Sequence, residues 1–218
     1  MTPSLFTQLD KIHFFTLESY MQIAGLKESE KAKARNRLSR AVRSGYILRI
    51  KKGIYITKNF YSQYHQDERF TLVISQIINP FSYISSLTVL QRASLLTEAT
   101  YPITAMTQKQ TSEVTNLTGT YTYQFLKPDL YTGFSSYDFL GLIYHMASIG
   151  KALFDYLYLK PIPRVMRAKG VSLANELRLN LSSLSQRNKQ TFEEFVQLSQ
   201  SEKMMKILGN FKEYSWHL

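Results

Sequence analysis

The stretch that decides the fold is residues 28–58, ESEKAKARNRLSRAVRSGYILRIKKGIYITK. At about 100° per residue, its first half places four apolar side chains within one narrow arc of a helix, namely those of Ala34, Leu38, Ala41 and Val42. The spacing therefore predicts a helix over residues 30–44 with a single buried stripe. Ser29 is expected to cap its first turn, and Gly45 is expected to end it in the left-handed conformation that glycine readily adopts.

The second half of this stretch predicts a short basic hairpin. Residues 46–50 and 54–57 are apolar and β-branched enough to form two strands, and Gly53 supplies the positive φ of a tight turn. Upstream, residues 17–24 predict a shorter helix that Thr16 caps and Gly25 closes. Two helices followed by a basic hairpin are typical of a winged helix-turn-helix, whose second helix enters the major groove of DNA.

The positive charge of the chain is concentrated in the same region. The 218 residues include 27 Lys and Arg against 16 Asp and Glu, which gives a net charge of +11. Residues 27–58 carry 11 of these Lys and Arg residues and only two acidic ones. A solvated surface usually mixes both signs, so this block predicts a polyanionic partner. The alternative is an exposed basic helix that binds nothing.

The cationic face of the predicted helix supplies candidate DNA-binding residues. We expect base contacts from four side chains on the exposed arc of the helix, which are Lys33, Asn36, Arg37 and Arg40. An asparagine there can pair with adenine, and an arginine with guanine. We expect phosphate contacts from the flanking and hairpin cations, which are Arg35, Arg43, Arg49, Lys51 and Lys52. A second basic patch either extends this footprint, contacts RNA or protein, or is a solvated connector; it comprises Lys160, Arg164, Arg167 and Lys169.

The rest of the chain predicts an α+β protein with two domains, residues 1–62 and 63–218. A linker is expected at residues 59–67. Helices are then predicted over residues 68–78 and 82–96, and strands over residues 101–107, 120–126 and 140–146. The chain is expected to end with an apolar helix over residues 149–159, capped by Ser148, and a helical tail over residues 172–179, 188–199 and 201–213.

Several protein classes are disfavoured by composition. The absence of cysteine excludes disulfides, thiolate catalysis and cysteine-ligated zinc, and the four histidines are scattered, so we expect no metal, no cofactor and no catalytic residue. Ser148 and Lys151 match an S-x-x-K pattern, but a capping serine explains Ser148 equally well. The apolar stretch at residues 139–159 contains Lys151 and Asp155, and the N-terminus has no secretory pattern. We therefore expect a cytoplasmic protein without a membrane span.

Segments along the chain resemble the AbiE-type antitoxin family, the AbiEi-like regulators of type IV toxin–antitoxin systems. The hairpin segment GYILRIKKGIY at residues 45–55 is similar to the wing of that family. In the second half, the similar segments are YISSLTVL at 83–90, YPITAMT at 101–107, GTYTYQFL at 119–126, ASIGKALFDYLYL at 147–159 and ELRLNL at 176–181. The resemblance covers most of residues 16–212 in the same order.

The resemblance implies a bifunctional protein of abortive phage defence. In that family the winged helix binds inverted repeats in its own promoter and represses transcription. The C-terminal domain neutralises a nucleotidyltransferase-like toxin without forming a stable complex with it. Two other interpretations stay open on the residues alone. One is a ligand-responsive winged-helix transcription factor without a toxin partner, and the other is a nucleic-acid enzyme, for which no carboxylate constellation is evident.

Overall fold

The computed structural model describes residues 8–96, 102–161 and 170–216. This part of the chain contains both helices and strands, and the strands form two sheets, so the protein is α+β, as the sequence predicts. It forms two compact units. The first contains the described residues up to position 80 together with Val114–Thr120, and the second contains Phe81–Glu113 and the described residues from position 121 onward. The first unit thus continues beyond residue 62, where the sequence analysis placed the end of the N-terminal domain.

The first unit is built on two helices and a small sheet. Its elements are β1 (Phe15–Thr16), α1 (Leu17–Ile23), α2 (Lys31–Arg43), β2 (Ile47–Lys51), β3 (Ile54–Thr57), α3 (Lys58–Tyr64) and α4 (Glu68–Ile78). The strands form an antiparallel sheet in the order β1-β3-β2. Leu17 and Tyr20 of α1, Ala34 and Leu38 of α2, and Ile47 of β2 share one buried core. The two helices and the hairpin are therefore fixed to each other by apolar burial.

The predicted boundaries of these elements are largely confirmed. Thr16 caps α1 by accepting a hydrogen bond from the backbone N–H of Ser19 at 3.2 Å. Gly45 follows α2 at φ +72°, and Gly53 lies at the hairpin turn at φ +81°. The predicted cap at Ser29 is wrong. A 3-10 turn over Glu28–Glu30 precedes α2, and the carboxylate of Glu30 accepts the backbone N–H of Lys27 at 3.3 Å, so an acidic side chain orders this entry.

The predicted linker at residues 59–67 is also wrong, because most of it is the helix α3. The Thr57 hydroxyl accepts a hydrogen bond from the backbone N–H of Phe60 at 3.2 Å and so caps this helix. The Phe60 side chain is buried, with its ring centroid 5.5 Å from that of Phe70 in α4. Aromatic burial thus orders a segment whose polar composition suggested a connector. Helix α4 ends at Ile78, before Asn79 and Pro80, as predicted.

The second unit contains most of a six-stranded sheet and a set of helices. Its elements are β4 (Ser82–Ile84), α5 (Leu87–Arg92), β5 (Ile103–Thr107), β6 (Ser112–Asn116), β7 (Gly119–Phe125), β8 (Phe134–Phe139), β9 (Leu142–Ala147), α6 (Ile149–Leu159), α7 (Leu173–Glu176), α8 (Gln186–Ser199) and α9 (Glu202–Tyr214). The strand order is β6-β7-β5-β4-β9-β8, and the turn between β6 and β7 lies in Val114–Thr120 of the first unit. Phe154 of α6 packs on Phe192 and Phe195 of α8 in the helical layer.

Three differences from the predicted elements occur in this unit. The single helix expected over residues 82–96 is instead the strand β4 followed by the short helix α5, because β4 is hydrogen-bonded between β5 and β9. The strands β6 and β8 were not predicted. The strands expected near residues 101–107, 120–126 and 140–146 correspond to β5, β7 and β9, although residue 101 lies outside the described residues. Helix α6 has the predicted bounds, and Ser148 caps it through the backbone N–H of Lys151 at 3.3 Å.

Among the residues that the structure describes, no helix is both long enough and apolar enough to cross a bilayer.

Candidate nucleic-acid interface

Helix α2 separates an apolar face from a cationic one. The side chains of Ala34 and Leu38 are completely buried, and Ala41 is 5% exposed. On the opposite side the cationic and amide residues are exposed; they are Lys33, Arg35, Asn36, Arg40 and Arg43. The apolar stripe predicted from the sequence is thereby confirmed, and burial of that stripe determines which side chains α2 presents to solvent.

The four residues expected to contact bases lie along one line of α2, but they differ in their partners. Lys33 is exposed, and its ammonium lies 2.8 Å from the Glu30 carboxylate. The Asn36 side chain is exposed, and its backbone carbonyl accepts a hydrogen bond from Nε of Arg40 at 3.4 Å. Arg37 is half-buried. Asn36 and Arg40 are thus the exposed members of this set that have no carboxylate within salt-bridge distance among the described residues.

Acidic side chains neutralise the start of the helix. Lys31 is paired with Glu28 at 2.7 Å, and Lys33 with Glu30 at 2.8 Å. The hydrogen bond from Lys33, followed by that from the backbone of Lys27, holds the pKa of Glu30 below its usual value, so this carboxylate is ionised at neutral pH. Among the described residues, the cations of α2 that lie beyond salt-bridge distance of a carboxylate therefore come later in the helix, and the positive charge continues into the hairpin.

The residues expected to contact phosphates fall into two groups. Arg35, Arg43, Arg49 and Lys52 are exposed, and within residues 8–96, 102–161 and 170–216 no carboxylate lies within salt-bridge distance of them. Lys51 is different, because its ammonium donates a hydrogen bond at 3.1 Å to the carbonyl of Ile78, the last residue of α4. The neighbouring carbonyl of Ile50 accepts a hydrogen bond from the Asn116 amide at 2.8 Å. Strand β2 is therefore held at its end by two side-chain contacts that the sequence did not reveal.

Only one member of the predicted second basic patch is described. The ammonium of Lys160 donates a hydrogen bond to the Tyr156 hydroxyl at 2.7 Å and lies 4.9 Å from the centre of the same ring. Arg164, Arg167 and Lys169 lie outside the described residues. The proposed role of this patch in nucleic-acid or protein contact stays a prediction.

A buried ionic cluster in the second unit was missed by the sequence analysis. The ammonium of Lys151 lies 2.5 Å from the Asp155 carboxylate, one helical turn later in α6, and both side chains are completely buried. The second oxygen of Asp155 accepts hydrogen bonds from the hydroxyls of Ser85 at 2.6 Å and Tyr83 at 2.9 Å. Aromatic rings surround the ammonium, with the Phe195 ring at 4.4 Å. A lysine and an aspartate four positions apart in an otherwise apolar helix are the signal that would have indicated this pair.

The charged and polar groups of this cluster bond to one another, which indicates a structural role rather than a reactive one. Burial raises the pKa of Asp155 and lowers that of Lys151, and the attraction between the two groups opposes both changes. Burial, followed by the neighbouring Asp155 charge, also raises the pKa of the Tyr83 hydroxyl. Ser148, which the S-x-x-K pattern paired with Lys151, contacts the backbone N–H of Lys151 and not its ammonium. We interpret the cluster as a structural link between α6 and the sheet.

A comparison with models of protein families finds none that matches this chain, and a comparison with curated proteins finds no similar sequence.

Proposed function

We propose that the first unit is a winged helix-turn-helix that binds double-stranded DNA, with α2 as the recognition helix and the β2–β3 hairpin as the wing. One observation carries this proposal. The buried stripe of α2 fixes its opposite face outward, and that face bears Arg35, Arg40 and Arg43 with no carboxylate in salt-bridge distance among the described residues. Arginines presented in this way suit the phosphates and base edges of a duplex.

The contacts divide into those that select a sequence and those that supply affinity. Asn36 and Arg40 are the base-reading pair in this proposal, because amide and guanidinium groups recognise adenine and guanine with about 1–3 kcal/mol of discrimination each. Arg35, Arg43, Arg49 and Lys52 hold phosphates, so their contribution weakens as salt increases. Lys33 joins the base contacts only if its bond to Glu30 opens.

We further propose that the protein is the antitoxin and autorepressor of a type IV toxin–antitoxin system in the cytoplasm. The support is the similarity of its segments, in order, to AbiEi-like regulators. Its DNA target would be inverted repeats in its own promoter, and its functional partner a nucleotidyltransferase-like toxin that it neutralises without a stable complex. The two activities would reside in the N-terminal and C-terminal parts of the chain respectively.

The DNA-binding proposal is tested by fluorescence anisotropy on a labelled duplex from the region upstream of the gene and on a shuffled duplex. The wild-type protein should prefer the upstream duplex, and Arg40→Ala should reduce that preference roughly tenfold, in keeping with about 1–3 kcal/mol per base contact. Arg187→Ala removes an exposed cation from α8 of the second unit and serves as the matched control, with no expected effect. Equal binding of both duplexes by the wild type would contradict the proposal.

The antitoxin proposal is tested by co-expression with a neighbouring nucleotidyltransferase-like gene. The full chain should restore growth that this gene arrests. Arg40→Ala should restore growth equally well, because the recognition helix is not required for neutralisation in this scheme. Failure of the wild-type chain to restore growth, at a level at which it represses its own promoter, would leave a DNA-binding regulator without antitoxin activity.

A further inference from the structure

Strand β2 of the proposed wing contains a bulge beside its phosphate-contacting residues. The register between β2 and β3 shifts between Arg49 and Lys51, so Ile50 is an extra residue on this side of the hairpin. A bulge disrupts the ladder of backbone hydrogen bonds and bends the strand that contains it. The direction of the hairpin turn, which carries Lys52, therefore depends on how the bulge is held.

Two contacts hold the bulged residue in place. The side chain of Ile50 is only 1% exposed, so apolar burial fixes one side of the bulge. The Ile50 carbonyl accepts a hydrogen bond from the Asn116 amide at 2.8 Å. Asn116 lies 66 positions later, in the turn between β6 and β7, which belongs to the same unit as the wing. A distant part of the sequence thus supplies a donor at the point where the bulge disrupts the ladder.

The amide of Asn116 is itself held in one orientation. Its Oδ1 accepts a hydrogen bond from the backbone N–H of Thr118 at 2.7 Å and another from the Thr118 hydroxyl at 2.6 Å. An asparagine side chain that bonds the backbone two residues later is a recurrent turn structure. Because both bonds go to the amide oxygen, the amide NH2 group is directed toward the Ile50 carbonyl. The turn therefore presents a fixed donor to the wing.

The turn carries no charge of its own. The segment Val114–Thr120 contains neither acidic nor basic residues, so it offers no ion to a phosphate. The cations lie on the hairpin, at Arg49 just before the bulge and at Lys52 just after it. We propose that Asn116 is a positioning residue for the wing, which places these two cations against the phosphates by holding the bulge between them. This inference rests on the proposed DNA binding, and Asn116 acts through Ile50 rather than by touching DNA.

The salt dependence of DNA binding tests this role in the full-length protein. Asn116→Ala should weaken binding to the upstream and shuffled duplexes by the same factor, and lower the slope of log affinity against log salt by about 1, as the loss of one phosphate contact would. The substitution removes no charge, so a variant that is only less stable would keep the wild-type slope while it stays folded. The ratio between the two duplexes should not change, because the base-reading residues lie on α2. A wild-type slope in Asn116→Ala would overturn the proposal.

A second variant and a control accompany this measurement. Thr118→Val removes one of the two bonds that orient the amide and keeps Asn116 itself, so it should lower the slope in the same direction by a smaller amount. It also serves if Asn116→Ala fails to fold, and a wild-type slope in Thr118→Val would then count against the proposal. Asn180→Ala removes an asparagine of the second unit whose Oδ1 also accepts a hydroxyl bond at 2.6 Å, from Ser182, and should have no effect.

Amide hydrogen exchange in the DNA-free protein separates this inference from DNA binding. In Asn116→Ala the hairpin amides at residues 49–55 should exchange roughly two- to tenfold faster than in the wild type, in keeping with the loss of one hydrogen bond. The amides of α2 should exchange at the wild-type rate. Faster hairpin exchange together with a wild type that binds neither duplex would refute the DNA-binding proposal and leave Asn116 as the residue that holds the hairpin. Unchanged hairpin exchange would overturn the inference whatever the DNA result.

Discussion

The ammonium of Lys51, near the turn of the β2–β3 hairpin, is bonded at 3.1 Å to the carbonyl of Ile78 at the end of α4. The adjacent Lys52 is exposed like Lys51, but it makes no such contact with any residue that the structure describes. Two neighbouring lysines that look equivalent in sequence therefore have different roles. Lys51 connects the hairpin to a helix end, where a cation is favourable, and Lys52 is left for a polyanion.

Substituting these two lysines separately tests that difference. Lys52→Met should leave the melting temperature unchanged, weaken binding to all duplexes alike, and lower the slope of log affinity against log salt by about 1. Lys51→Met should lower the free energy of unfolding by about 1 kcal/mol, since it leaves the Ile78 carbonyl without this donor. Urea denaturation and anisotropy over a salt series give the two quantities. Identical behaviour of both variants would contradict the division of roles.

The pair between Lys33 and Glu30 predicts an inhibitory effect on DNA affinity. The pKa of Glu30 is lowered, so the pair is intact at neutral pH and is lost only as the pH falls through that lowered value. Glu30→Gln should therefore release Lys33 at neutral pH and increase DNA affinity several-fold, with a steeper salt dependence. Glu193→Gln opens a bridge of the same 2.8 Å length to Lys212 in the second unit and is the control. An equal gain in both variants would indicate a nonspecific effect of net charge.

The elements with strong local signals are those that the sequence predicted best. Helix α4 ends before Asn79–Pro80 and helix α6 begins after Ser148, because proline and a capping serine act on the adjacent backbone. Strand β8 was missed because four of its residues, Ser135 to Asp138, are exposed and carry no alternating apolar pattern. Its strand conformation comes from pairing with β9, which is a tertiary effect.

The candidate interface was also predictable only where the signal is local. The spacing of the apolar residues in α2 was sufficient to identify its buried and exposed faces, because helix geometry determines which side chains share a face. The partners of individual cations were not predictable. Lys33 meets an acid three positions earlier, which the sequence allowed but did not require, and Lys51 meets a carbonyl 27 positions away. The Lys151–Asp155 pair was overlooked because charged residues in a helix are usually solvated, whereas burial here depends on the whole unit.

Alanine substitution of two helical glycines in the second unit should change the free energy of unfolding in opposite directions. A Cβ atom on Gly150 would lie 2.2 Å from the Asn188 carbonyl oxygen, whereas one on Gly209 of α9 would meet nothing within 4 Å. Gly150→Ala should therefore lower the free energy of unfolding by about 1–3 kcal/mol or more, because α6 must move away from α8. Gly209→Ala should raise it by up to about 1 kcal/mol through helix propensity. Thermal and urea denaturation measure both, and a stable Gly150→Ala protein would mean that the helices are less closely packed.

The buried Lys151–Asp155 pair predicts that removing one partner is worse than replacing both. Asp155→Ala leaves an ammonium and the hydroxyls of Tyr83 and Ser85 without their acceptor, which should cost about 3–5 kcal/mol. The double variant Lys151→Met, Asp155→Asn removes both charges and retains an acceptor for the hydroxyls, so it should recover most of that loss. Urea denaturation of Asp155→Ala and of the double variant measures how much of the loss is recovered, and a double variant as unstable as Asp155→Ala would contradict the prediction.

The same pair has a pH signature that depends on the direction of the pKa change. Burial raises the pKa of Asp155 in the folded protein, so ionising this carboxylate costs stability as the pH rises from the ordinary carboxyl value, near 4, through the raised one. The double variant lacks this cost. Its stability relative to wild type should therefore increase from acidic to neutral pH. A relative stability that is flat or decreases over this range would show that the attraction of Lys151 and the hydroxyl hydrogen bonds outweigh the cost of burying the carboxylate.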